Sequence, residues 1–157
     1  MRPVGGIWVF LGTPDAPAQT APLRQPPSSP TLLASRCNAI EEAYEFMLAY
    51  AAQGLPSEQG SAAGSQIRDF LSKCDAALSG LADAITVCVE RLGLEPPDPY
   101  DRFIRVVDVD ARAAQAAVRL VLAQPSIGSQ LVDNLNASSH VRAVLTDLFL
   151  LGDVLKI

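Results

Sequence analysis

Histidine is almost missing from this 157-residue chain, with His140 the single example, and that scarcity removes several kinds of chemistry at once. A ferritin-type di-iron bundle needs Glu-x-x-His pairs on two helices, which one histidine cannot supply. Ser-His-Asp or Cys-His catalysis would have to use His140, yet no GxSxG elbow or other local nucleophile signature accompanies it. A glycine-rich phosphate loop is also missing. Cys37, Cys74 and Cys88 are odd in number and lack CxxC spacing, so they fit neither a disulfide framework nor a zinc knuckle, and a reducing, cytoplasmic setting follows. All three are read as small core hydrophobes. No run of eighteen or more apolar residues is present to cross a bilayer. Basic clusters are absent too: twelve Lys and Arg lie scattered against seventeen Asp and Glu, a formal charge of −5 that excludes nucleic acid as the main partner. No cofactor is implied.

What the chain has is helical periodicity. Ile67, Leu71, Cys74, Leu78, Leu81, Ile85, Cys88 and Leu92 follow one another in steps of four and three, which places eight side chains on one stripe of a helix spanning about Ser65 to Leu92. A helix cannot bury such a stripe against itself, so partner helices are required. The first runs from about Thr31 to Gln53, with the seam Leu33, Cys37, Ile40, Tyr44, Met47 and Ala51 and a solvent side of Asn38, Glu42, Glu45 and Ala49. Beside the seam lies a second set, Ala39, Ala43, Phe46 and Tyr50, two small residues and two aromatics that offer a candidate interface for a second subunit.

After Glu95-Pro96-Pro97-Asp98-Pro99, a third helix is predicted to about Ala123, its solvent stripe formed by Asp101, Arg105, Asp108, Arg112, Gln115 and Arg119. Turned away from that stripe are Phe103, Val107, Asp110, Ala114, Ala117 and Val121, an apolar set containing one carboxylate. Asp110 is therefore a candidate polar site: it could hold a cation, pair with an arginine across an interface, or cap a helix that starts after Val109. A short helical turn from Ser129 to Leu135 and a last helix from His140 to Leu155, capped from within Asn136 to Ser139, complete the pattern. The expected fold is all-α: an antiparallel four-helix bundle, up-down-up-down, with a short extra helical turn before the last helix. Residues 31–157 form this domain. Residues 1–30, carrying seven prolines, form a mostly disordered arm. Its apolar run Ile7-Trp8-Val9-Phe10-Leu11 admits a signal peptide, a tail that docks on the domain, or an extension without a role.

Glu41, Glu42 and Glu45 form an EExxE, and Leu151-Gly152-Asp153-Val154-Leu155 supplies another acid near the other end of the chain. Together they resemble the magnesium motifs of the all-α nucleotide pyrophosphohydrolases, and that resemblance implies carboxylates on two helices gripping a metal and a triphosphate. The chain departs from the family pattern at Leu150, where an acid is expected, and in the long separation of the two motifs. With no catalytic constellation, the expectation is a non-enzymatic accessory or regulatory protein that binds another protein, as a homodimer and with a further protein partner. Magnesium-dependent nucleotide hydrolysis through the first helix, and a small-ligand sensor with its pocket inside the bundle, are the alternatives.

Overall fold

The computed structural model describes residues 29–156 and is all-helical, with six helices and no strand among those residues. They are α1 (Ser29–Ala52), α2 (Gly64–Leu78), α3 (Leu81–Leu92), α4 (Pro97–Leu122), α5 (Ser129–Ala137) and α6 (His140–Leu155). The amino-terminal arm, except for its last two residues, lies outside the described residues.

The helix expected from Ser65 to Leu92 is two helices. Gly80 takes φ +68°, a left-handed conformation that terminates an α-helix and that only a residue without a Cβ adopts freely. The apolar line nevertheless continues in phase across the break, with Ile67, Leu71, Cys74, Leu78, Leu81, Ile85 and Cys88 buried and Leu92 exposed. Breaking the helix leaves carbonyls at the end of α2 without intrahelical donors. Arg36 of α1 supplies them: its Nη1 donates to the carbonyls of Ala77 at 2.9 Å and Ser79 at 2.6 Å.

On α1 the core line is Leu33, Ile40, Ala43, Met47 and Tyr50, so the buried arc takes members from both sets read in the sequence. The predicted solvent side holds, with Asn38, Glu42, Glu45 and Ala49 all exposed. α1 and α4 each pack against the α2–α3 pair and against α5 and α6. The last helix begins at His140 as expected, but Ser139 caps it in position only; its hydroxyl makes no capping bond and instead accepts from Arg142 Nη2 at 2.9 Å.

Polar bonds fasten one end of the molecule. The Tyr50 hydroxyl donates to the Ile127 carbonyl at 2.7 Å, Ser129 N–H donates to the Leu55 carbonyl at 2.8 Å, and Leu55 N–H donates to Ser129 Oγ at 2.9 Å. Arg68 at the start of α2 donates to the carbonyls of Leu122 at 2.9 Å and Gln124 at 2.8 Å, and to Glu58 Oε1 at 2.6 Å. Glu58 also accepts the Ile127 N–H. Two glycines permit these close passages: a Cβ on Gly64 would sit on the Glu58 carbonyl, and one on Gly128 would come within 2.6 Å of the Pro56 carbonyl.

Candidate functional site

The four α1 residues singled out for an interface do not form one outward face. Ala43 and Tyr50 are fully buried in the chain's own core, and the Tyr50 hydroxyl is spent on Ile127. Phe46 is half-buried because Phe70 of α2 stacks on it, ring centroids 4.2 Å apart and planes 15° apart. Ala39 also keeps part of its surface. The two aromatics thus fill the α1–α2 junction and leave little for a partner. The wide apolar arc of α1 is covered from within the chain, because α2, α3, α5 and α6 all pack on it.

Asp110 caps nothing, since α4 runs unbroken from Pro97 to Leu122. It faces Asp147 of α6, and the two side chains share a hydrogen bond. A carboxylate only accepts, so that bond requires a proton held between the pair. Burial first, and then the hydrogen bond and negative charge of Asp110, push the Asp147 carboxyl up to about 6 from an ordinary 3.8. Asp147 Oδ2 is buried and finds no donor among the described residues. Neither carboxylate has an ion pair there.

The outer face of α4 carries a feature that the sequence reading passed over. The core face is Ile104, Val107, Ala111, Ala114, Val118 and Val121: Val107, Ala114 and Val121 are buried as predicted, while Ile104, Ala111 and Val118 take the places of Phe103, Asp110 and Ala117, which lie half-buried on its flank. Opposite it, Val106, Val109, Ala113, Ala116 and Leu120 recur in steps of three and four. Val109 is 65% exposed and Leu120 67%, too open for either to belong to the core. Arg105, Arg112 and Arg119 flank this line on one side, and Asp110 lies on the other. Arg112 pairs with Asp108 at 2.9 Å and Arg119 with Asp75 at 2.7 Å, whereas Arg105 is exposed and has no partner among the described residues. Spacing in steps of three and four was the signal that could have found the line. It was hidden by the alternating charges beside it.

A groove of about 550 Å³ separates the first half of α1 from the last half of α6, walled by Leu33, Leu148, Phe149 and Leu151. Glu41 and Asp153 line it together, while Glu42 and Glu45 are exposed outside it. Of the acids behind the pyrophosphohydrolase resemblance, only Glu41 and Asp153 therefore border one space. Among the described residues no group of three His, Cys, Asp or Glu side chains is placed to hold a metal ion. Cys37 borders the same groove, half-buried, and burial raises its thiol pKa. Cys74 and Cys88 are free and buried in the core, and desolvation pushes the Cys74 thiol up to about 12. His140 is exposed at the start of α6. No described helix is long and apolar enough to cross a membrane. Comparisons with protein-family models, with curated proteins and with solved structures find no match to this chain.

Proposed function

We propose that the protein is a non-enzymatic accessory or regulatory protein of the cytoplasm that acts through protein–protein binding, beginning with a second copy of itself joined along the outer face of α4. Its six helices would serve as four rods running up, down, up and down, with α2–α3 and α5–α6 each acting as one. The carrying observation is the line Val106, Val109, Ala113, Ala116 and Leu120, exposed except at half-buried Ala113, a seam-spaced apolar stripe on the side of α4 away from its own core. The alternatives have less behind them. Magnesium-dependent hydrolysis has two carboxylates lining one groove, and a small-ligand sensor has only that open groove.

Charge selects the second copy and its direction. When two such seams pair in parallel, the residue before each first seam position faces the partner's residue five places further on. Arg105 then meets the partner's Asp110, twice by symmetry. The α4 arginine of one copy that has no ion pair among the described residues reaches the uncompensated carboxyl pair of the other. Arg112 and Arg119 meet uncharged side chains, the partner's Ala117 and the partner's Gln124. Antiparallel pairing would instead press Arg112 against the partner's Arg112, which like-charge repulsion disfavours.

Sedimentation at high micromolar concentration tests the proposal, with a dimer expected for the unmodified chain. Val109→Asp should yield monomer with its helical circular dichroism intact, since Val109 is outside the core. Arg105→Glu should weaken association by about tenfold or more, and adding Asp110→Arg should restore it. A monomer throughout, or a dimer indifferent to Val109→Asp, rejects the α4 interface.

A further inference from the structure

We infer that the groove between α1 and α6 is the docking site of the chain's own segment Ile7-Trp8-Val9-Phe10-Leu11, with Arg2 directed to Glu41 and Asp153. This contact is independent of the α4 face.

The groove itself asks for an apolar occupant with a positive charge. Its volume of about 550 Å³ falls within the span typical of ligand pockets, roughly 300–1,000 Å³. Leu33, Leu148 and Leu151 supply an apolar wall, and Phe149 stands beside them 56% exposed, a large ring left facing water. Glu41 and Asp153 line the same space and have no ion pair among the described residues. A purely hydrophobic peptide would leave those two acids uncompensated. One preceded by a cation would not.

The chain carries such a segment, attached at the right place. Five consecutive bulky apolar residues, Ile7 to Leu11, follow Arg2, and the next arginine is Arg24. The described chain begins at Ser29, and Leu33, one turn into α1, already lines the groove. Residues 12–28 are therefore the tether, and seventeen residues reach up to about 56 Å when extended. From Leu33 to Glu41 the groove is only about 12 Å long, at 1.5 Å per helical residue. Reach is not limiting. A short tether also holds the segment near its site at an effective concentration of about a millimolar, so that even weak contacts fill the groove.

Trp8 is the only tryptophan in the protein, which makes its fluorescence a direct report on this contact. In the full-length chain its emission should be blue-shifted from that of a synthetic peptide covering residues 1–14, and quenching by acrylamide should fall severalfold. Both signals should be unchanged on dilution. Ala34 is exposed and lines the groove, so Ala34→Glu should return Trp8 to the behaviour of the free peptide without loss of helical signal. Glu41→Lys with Asp153→Lys should do the same by repelling Arg2, and it carries the test should Ala34→Glu unfold the domain. Val109→Asp, on the α4 face, should leave Trp8 protected. A solvent-exposed Trp8 in the unmodified chain overturns the inference, as does protection that survives the groove variants. Protection that fades on dilution overturns it too, by placing the segment in the groove of another copy.

Discussion

At neutral pH the proton between Asp110 and Asp147 is largely lost, and the packing of α4 on α6 then holds two like charges together. For an acid whose folded pKa lies above its unfolded value, the folded state binds more protons between the two values, so its contribution to stability falls as pH rises through that window. Here the window runs from 3.8 to about 6. Asp147→Asn should therefore stabilise the protein at pH 7.5 by about 1 kcal/mol, the figure kept small because a half-buried group is still screened by solvent. Near pH 4 it should change little. Urea unfolding at the two pH values checks this, and a variant less stable than its parent at pH 7.5 would mean that the carboxylate has a cationic partner. Asp110 was legible in the sequence as an acid among Phe103, Val107, Ala114 and Val121, but Asp147 was not. It flanks its seam beside Thr146 and reads as ordinary surface until α4 and α6 are brought together.

Along each element the apolar spacing located helices well and continuity poorly. From Ile67 to Cys88 every predicted seam residue is buried, yet the helix stops between Leu78 and Leu81. The three-residue step from Leu78 to Leu81 is the same whether or not the backbone is broken, so periodicity cannot register the break. Ser79-Gly80 was the available signal. Substitution reads the difference by sign. In a continuous helix Gly80→Ala would stabilise by about 1 kcal/mol, because alanine is the better helix former. At φ +68° the same methyl should destabilise by about 1 kcal/mol. A rise in melting temperature for Gly80→Ala would show α2 and α3 to be one helix. The same limit explains α1, where both apolar sets were recognised but the sequence could not say that Phe70 of α2 stacks on Phe46 and covers part of it.

Across the whole molecule the two ends differ in how they are closed. Where α1 and α6 diverge, an apolar groove with two acids is left open. The opposite end is shut by polar bonds centred on Glu58 and Arg68, which tie the α1–α2 loop to the end of α4 and to Ile127. None of this was legible beforehand, because Glu58 and Arg68 come from a loop and a helix start and their partners are mainly backbone groups that carry no sequence signal. Burial alone would raise the Glu58 carboxyl, but the Ile127 N–H and the Arg68 guanidinium outweigh it and hold the pKa below 4.5. An acid depressed in this way stabilises the fold above its unfolded pKa, and that contribution is lost as pH falls below about 4.5. Arg68→Met keeps the apolar stem but strands two carbonyls and a carboxylate, and should cost about 3 kcal/mol at pH 7. Glu58→Gln should cost about 2 kcal/mol, since Arg68 and the Ile127 N–H bond to different carboxylate oxygens and the one amide oxygen can replace only one of them, leaving the other donor against an NH2. Because both changes act on one network, the double variant should be more stable than the sum predicts, by at least about 1 kcal/mol. Urea unfolding of the four proteins measures that coupling directly. Strict additivity would mean that the Glu58–Arg68 pair is a surface contact and that Tyr50, Leu55 and Ser129 alone fasten this end.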